Sequence, residues 1–498
     1  LDILYVHPAK QEVDARYDKF ISCSPYPYIP VGVIGLINRL RSNGRSVQAL
    51  NLPVELLLEP AFDFRSWLRE QSAPRVVLVD LHWYEHCYGA VEVARSAKAV
   101  WPKVPVILGG LTATQFADEI VRDYPDVDYV VRGDAEVPLG LLVDHCCGGG
   151  LSDLAAIPNL VYRQNGQVNR TPLTFTAGPD DLDALDFVSI DWLQHWESYA
   201  AFQYSGSGEV DFRQARFQGH WLSVGRGCTF NCIYCGGCQN AHRELAGREG
   251  FVLRSPERVV QDVKRLVDRG VHQIAFTLDL AVFEPAWWRA LFGLMREGGL
   301  RIGLYNEFFQ LPSDEFIEAF AGVADPAHTE LAISPLSGSE KVRKRNGKFF
   351  SNARLLRVLR TLEHHRLPVF IYFSLNLPGE TPKTLKDTLR LAENIGRAYP
   401  AELLRMLNTC HTLDPVSPMS KPTQELKSLG IQVHYRTFQD YYTYCRGTGW
   451  QPRSVTRGQH RGFEILGRPV EVVEQMARRW DQFAEKQPFR CYPVPRGW

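Results

Sequence analysis

Gly225-Arg226-Gly227-Cys228-Thr229-Phe230-Asn231-Cys232-Ile233-Tyr234-Cys235 is the stretch on which the reading of this 498-residue chain turns. It follows an apolar run, Trp221–Val224, that reads as a strand, and it sets three cysteines on one short loop in the spacing C-x-x-x-C-x-x-C. Three thiolates placed this way can hold three corners of a cubane iron–sulfur cluster and leave the fourth iron without a protein cysteine. A structural zinc site is a competing reading, but such sites show paired C-x-x-C or Cys/His partners at a distance, and no second pair is obvious. Three buried cysteines without a ligand role are the other. Cys238, three residues on, either replaces a ligand or packs, and we read it as a bystander.

Outward from this loop the chain alternates strand and helix patterns. Strands are expected at Trp221–Val224, Gln273–Thr277, Ile302–Asn306, Glu330–Ser334, Val369–Asn376 and Leu403–Asn408. Six strand–helix units predict an incomplete barrel with the cysteine loop at its mouth. Upstream, β-branched runs at Leu1–Val6, Val47–Leu50, Val76–Asp80, Val106–Leu108 and Tyr129–Val131 alternate with helical patterns such as Val31–Ser42, which stops at Asn43-Gly44. Those five strands predict an open, doubly wound, Rossmann-like domain whose ligand sits beyond the carboxyl ends of the strands.

The expected architecture is therefore α/β. A doubly wound domain covers 1–150 and closes on Gly148–Gly150, an ordered connector covers 151–215, and a partial (β/α)6 barrel covers 216–411. A small C-terminal α+β domain covers 412–498, with one clear helix at Val470–Glu485. Trp192, Trp196 and Tyr199 give the connector side chains that can pack.

Lys plus Arg and Asp plus Glu number 56 each, so no net charge draws the chain to nucleic acid or to an anionic membrane surface. No run of 18 apolar residues occurs, and the start LDILYVHPAK lacks the basic and small-residue features of a signal peptide. A cytoplasmic protein is expected. Eleven cysteines, an odd and scattered set, point to reduced thiols rather than a disulfide scaffold.

The cysteine loop resembles that of the radical S-adenosylmethionine (SAM) superfamily. The resemblance implies a 4Fe-4S cluster on Cys228, Cys232 and Cys235, SAM chelated at the open iron, and release of a 5′-deoxyadenosyl radical. It places Tyr234, the aromatic residue before the third cysteine, beside the adenine. Leu377-Pro378-Gly379-Glu380-Thr381 resembles the PGET turn of the larger subfamily, although Pro, Gly and an N-capping Thr381 also explain a plain strand–turn–helix joint. Where relatives carry Gly-Ile-Glu-Ser at the fourth strand, this chain has Ile333-Ser334-Pro335-Leu336. Its expected SAM contacts are Ser334, Ser374 and Asn376 at strand ends, with Arg343 reaching a carboxylate. Each has an ordinary structural explanation too, as a strand-end polar residue or part of a solvated basic helix face.

Two front-domain loops resemble the cobalamin-binding domains of the same group. One is Leu108-Gly109-Gly110-Leu111-Thr112-Ala113-Thr114, where paired glycines let a bulky ligand approach the backbone. The other is Arg132-Gly133-Asp134-Ala135-Glu136, similar to R-G-E-x-E. Neither G-x-G-x-x-G nor a Walker sequence follows a strand here. The first strand leads through His7-Pro8 to Tyr28-Ile29-Pro30 without D-x-H-x-x-G, which implies a corrinoid lacking the usual histidine ligand. Asp80-Leu81-His82-Trp83-Tyr84-Glu85-His86 offers large side chains for the lower face of the corrin. Trp83 is a shield or a core aromatic, Tyr84 lies beside it, and His82 or His86 is a candidate ligand.

The resemblance then implies a cobalamin-dependent radical SAM methyltransferase. One SAM methylates cob(I)alamin, a second yields the radical that takes hydrogen from substrate carbon, and the substrate radical captures the methyl group from methylcobalamin. A small natural product, amino acid or peptide is the expected substrate, and a flavodoxin or ferredoxin the electron donor. No catalytic side chain is singled out. Tyr435-Arg436, Tyr441, Tyr442, Tyr444 and Trp450 either form a lid or, as the default, pack against the barrel. A radical rearrangement or ring contraction, non-radical methylation of a nucleophilic carbon, and a corrinoid or redox sensor are the alternatives.

Overall fold

The computed structural model describes residues 1–9, 27–59, 61–149, 153–204, 217–448 and 462–494. Gly150 and Trp450 lie outside the described residues.

The front sheet contains β1 (Ile3–His7), β2 (Val47–Asn51), β3 (Val76–Asp80), β4 (Val106–Gly109), β5 (Tyr129–Val131), β6 (Leu160–Gln164) and β7 (Gln167–Arg170), in the order β2-β1-β3-β4-β5-β6-β7. The first five are parallel, and Ile3 of β1 pairs with both Val47 and Val76. β1 and β3 are buried along their whole length, the apolar pattern expected of a parallel sheet covered on both faces. Leu4 and Val6 join a core with the helix Cys87–Val100, while Ile3 and Tyr5 join another with Val31–Ser42. The chain leaves β1 to one side for β2 and to the other for β3, opening a crevice at the carboxyl ends of the strands.

β6 and β7 come from the expected connector and extend this sheet as an antiparallel hairpin. Its two-residue turn is Asn165-Gly166, with φ of 53° and 78°. Positive φ at both positions is the geometry that favours Asn-Gly in tight hairpins.

The second half holds β8 (Gly219–Leu222), β9 (Gly225–Cys228), β10 (Gly250–Leu253), β11 (Gln273–Phe276), β12 (Gly303–Phe308), β13 (Glu330–Leu336), β14 (Val369–Leu375), β15 (Leu404–Cys410), β16 (Ile431–Val433), β17 (Phe463–Ile465) and β18 (Arg490–Cys491). Seven of these form a parallel sheet in the order β18-β15-β14-β13-β12-β11-β8, so the expected six strands gain β18 at one edge. The two edge strands do not pair, which leaves the barrel open.

Period-two alternation divides each strand between two environments. Leu222, Ile274, Leu304, Ile333, Ile371 and Met406 face the outer helices in the largest core. Trp221, Ala275, Tyr305, Ala332 and Tyr372 cluster on the inner face. Ala275 on β11 is in register with Tyr305 on β12, and Ala332 on β13 with Glu307, so small side chains keep the lumen from filling.

The tail divides between the two halves. Its helix Phe438–Thr448 packs on Cys87–Val100 of the front domain and buries Phe438, Tyr441, Tyr442 and Tyr444 in that core. Tyr441 meets Tyr84 edge-on at 5.5 Å. The expected lid, or packing on the barrel, is therefore corrected for these tyrosines: their rings cover an apolar helix of the front domain. Val470–Ala484 instead packs on the barrel, with Trp480 buried against Phe373. No helix among the described residues is long and apolar enough to cross a membrane.

Candidate functional site

A single cavity of about 2380 Å³ lies between the halves and runs into the barrel lumen. It exceeds the ~300–1,000 Å³ of an ordinary small-molecule pocket, leaving room for several ligands together. Cys228, Cys232 and Cys235 all line it, and so do the carboxyl-end loops of β3, β4 and β5.

The cysteine loop begins at β9, which pairs antiparallel with β10. The backbone N–H of Phe230 points at the Cys228 sulfur (3.4 Å) and that of Gly237 at the Cys235 sulfur (3.3 Å). Such N–H···S bonds stabilise charge on cluster-bound thiolates. On the far side Gly347, at φ 95°, lies against Cys232, and a Cβ there would sit 2.8 Å from the sulfur. Only glycine fits that approach. The next residue, Lys348, is buried, donates to the Phe309 carbonyl at 2.8 Å and senses the charges of Cys232 and Cys235. Burial raises all three thiols, so iron must draw off their protons when a cluster is installed. Among the described residues no three His, Cys, Asp or Glu side chains close on one metal ion, a geometry that a cluster with ligands on separate irons does not require. The loop thus has three cavity-facing thiols, N–H donors aimed at two sulfurs and a neighbouring cation, which fits a 4Fe-4S cluster. Cys238 is buried at the head of the helix Gln239–Ala246 and does not line the cavity.

The expected SAM residues separate. Tyr234 lines the cavity and stacks on His411 at 4.6 Å, and Ser334 also lines it. Ser374 and Asn376 are not in the lining. Asn376 has φ 65° and Leu336 φ 62°, two left-handed residues ending adjacent strands β14 and β13. Strained backbone of this kind gathers at functional sites. Arg343 requires correction. Its buried guanidinium donates to the carbonyls of Pro335, Ser337 and Phe350 and to Asn352 Oδ1, so it ties the β13 loop together instead of facing a ligand. The PGET-like turn is likewise structural. The Thr381 hydroxyl caps the next helix, Glu380 accepts from the Leu377 N–H at 3.3 Å, and Arg468 donates to the Glu380 and Leu377 carbonyls.

In the front domain, His82, Trp83, Gly109, Gly110, Leu111 and Gly133 line the cavity. Gly110 has φ 115°, and a Cβ there would lie 2.7 Å from the Leu81 carbonyl, so glycine is required for the β4 loop to pass under the β3 loop. Burial lowers His82 to a pKa of about 4, leaving the imidazole neutral near pH 7. Thr112, Tyr84 and His86 do not line the cavity. Thr112 bonds the His82 carbonyl at 2.9 Å, Tyr84 packs on Tyr441, and His86 lies edge-on to His7 at 4.9 Å. His7 itself is 2.9 Å from Asp80, which also accepts from the Tyr5 hydroxyl at 2.7 Å. These three expected contacts are corrected to support positions beneath the loop.

Asp134 and Glu136 line the cavity, but their first partners are arginines of the barrel half. Arg226 donates to Asp134 at 3.0 Å and to Glu136 at 2.5 Å, and Arg248 also bonds Asp134. Glu136 Oε2 remains buried without a hydrogen-bond partner among the described residues, an acceptor that suits an amide-bearing ligand such as a corrinoid. Arg226, inside the cysteine motif, carries no sign in the sequence of this bridging role. Its spacing from Cys228 was visible, but its partners more than 90 residues upstream or exactly 90 residues upstream were not.

Comparison with known proteins gives these two halves their families. Residues 18–143 match the B12 binding domain and residues 222–392 the Radical SAM superfamily. An anaerobic magnesium-protoporphyrin IX monomethyl ester cyclase of Rubrivivax gelatinosus is 24% identical over 316 residues, 62% of this chain and 52% of that protein. This chain thus spans about half the cyclase's length. An uncharacterised methyltransferase of Pyrococcus horikoshii is 24% identical over 70% of this chain and 76% of its own. In fold, the chain is similar to the radical SAM methyltransferase TsrM of Kitasatospora setae, with a TM-score of 0.61 at 16% identity, over 87% of this chain and 78% of that one.

Proposed function

We propose that this chain, a cobalamin-dependent radical SAM enzyme carrying a B12-binding domain ahead of a radical SAM domain, is a methyltransferase acting on a carbon of a small organic substrate. The observation that supports this most directly is that the corrinoid-type loops and the three cysteines face one cavity. A methyl donor and a radical source are useful to each other only within reach of the same substrate atom. When bound, the corrinoid carries the methyl group and the cluster delivers an electron to SAM.

The chain's own residues hold and separate these groups. Cys228, Cys232 and Cys235 hold the cluster, with Tyr234 and Ser334 beside the SAM position. His82, Trp83 and the glycines of the β4 and β5 loops hold the corrinoid. Arg226 fixes the spacing between the two, because one guanidinium bonds the β5 loop while its backbone leads into Cys228. A flavodoxin or ferredoxin is the proposed electron donor.

The test is anaerobic reconstitution with iron, sulfide and cobalamin, followed by analysis of SAM products against a panel of small amines, amino acids and peptides under reductant. Formation of S-adenosylhomocysteine together with 5′-deoxyadenosine, and of a methylated product, is expected. Deoxyadenosine alone would assign a rearrangement, and S-adenosylhomocysteine alone a non-radical methylation.

A further inference from the structure

The inner wall of the barrel carries one carboxylate with no salt bridge among the described residues. Glu307 lies on β12 with Gly303 and Tyr305 on the inward face, and it is exposed to the cavity although its strand neighbours Asn306 and Phe308 are buried. The Tyr305 hydroxyl donates to it at 2.8 Å. Tyr305 packs on Trp221 at 5.6 Å, and Trp221 meets Tyr28 of the front domain at 6.4 Å. Tyr372 joins the same inner cluster and, like Tyr28, feels the charge of Glu307. Four aromatic rings therefore surround a single anion, drawn from both halves of the molecule.

The basic side chains nearest this wall already have partners. Arg405 bonds Glu330 and lies over the Phe370 ring at 4.3 Å. Lys348 senses Glu307 at long range, but it donates to the Phe309 carbonyl at 2.8 Å, forms no salt bridge with Glu307, and lies nearer the charges of Cys232 and Asp279. A carboxylate that faces an aromatic-walled cavity without a salt bridge offers a seat for a cation, and aromatic faces add to the attraction for that cation. The neutral Ala275 and Ala332 keep the space before it open.

We propose that the substrate carries an ammonium group, seated against Glu307 and flanked by Tyr28, Trp221, Tyr305 and Tyr372. This rests on the proposed function, since it names the substrate class of the same cavity. Because Tyr28 belongs to the front domain, the ammonium seat forms only where the two halves meet. The seat selects amines, amino acids with a free amino group, or quaternary ammonium compounds over neutral or anionic molecules of the same shape.

The experiment is calorimetric titration of the cluster- and cobalamin-loaded protein with choline and with its uncharged carbon isostere, dimethylbutanol. Choline is expected to bind at least about tenfold more tightly, a charge preference that Glu307→Gln removes and Trp221→Leu weakens. Equal binding of the two isosteres, no binding of choline, or an unchanged preference in a fully loaded Glu307→Gln protein overturns the proposal. Iron, sulfide and cobalamin content and SAM products are scored separately. A loaded protein that forms both SAM products without charge preference defeats this inference alone. One that retains no corrinoid defeats the reading beneath it, and this inference with it.

Discussion

Arg226 Nη2 lies 2.5 Å from Glu136 Oε1, joining the strand that ends at Cys228 to the β5 loop of the front domain. The same guanidinium reaches Asp134 with its other nitrogen at 3.0 Å. Flanking carboxylates hold the arginine protonated despite its burial. Removing one side of a buried pair leaves the other charge uncompensated, typically at a cost of ~3–5 kcal/mol. Arg226→Ala is therefore expected to lose about that much stability in urea denaturation and to retain less cobalamin. Arg226→Lys should recover only part, because an ammonium cannot fork to two carboxylates.

Replacing any one of Cys228, Cys232 and Cys235 by Ala should abolish retention of a four-iron cluster, measured as iron and sulfide per chain. Cys238→Ala should retain it, since Cys238 lies outside the cavity lining.

Glu380 gives a pH signature. Burial raises its carboxyl from 4.5 to about 7, with Arg468 pulling the other way. The folded chain holds this proton more tightly than the unfolded chain does. Its contribution is fully present below pH 4.5 and is lost as pH rises to about 7. Glu380→Gln should flatten that decline in stability, read from thermal unfolding across this range.

At Tyr441 the hydroxyl is buried with no hydrogen-bond partner among the described residues, while the ring packs against Tyr84 and Phe116. Truncation to Ala should cost ~3–5 kcal/mol, as for other large buried aromatics. Tyr441→Phe should be neutral or stabilising, because it removes an unsatisfied polar group and keeps the packing. Chemical denaturation of both variants measures the contrast.

Arg343 separates a structural role from SAM binding. Arg343→Lys should lower the unfolding midpoint by breaking the bonds to three carbonyls, while the properly folded fraction keeps its KM for SAM.

Strand identity was legible wherever local periodicity carried it. β3 and β5 match their expected bounds, because a buried parallel strand advertises itself as an unbroken apolar run. The hairpin β6–β7 was also readable in Asn165-Gly166, but the polar composition around it favoured a connector. Glu307 was hidden for a different reason. The expected strand stopped at Asn306, and the observed β12 runs to Phe308, so the charged residue appeared to lie outside the barrel wall. Arg343 closes on partners six to nine residues away in irregular backbone, and Tyr441 packs on Tyr84 and Phe116 of the front domain, and neither arrangement leaves a periodic signal. A basic helix face and an aromatic cluster look alike in sequence whether they meet a ligand, solvent or another domain.

Both halves of the molecule take essential pieces from the last part of the chain. Tyr84, Phe116 and Tyr124 of the front core are covered by Phe438, Tyr441 and Tyr442, and the barrel edge is covered by β18 at Arg490–Cys491. During synthesis, the front sheet is available once β7 has emerged, yet its aromatic surface stays uncovered until the ribosome has added more than half of the chain. At ~5–20 residues per second that interval lasts on the order of ten to fifty seconds. The front domain is thus exposed to chaperones, and to premature association with other chains, for far longer than the elementary steps of its own folding require.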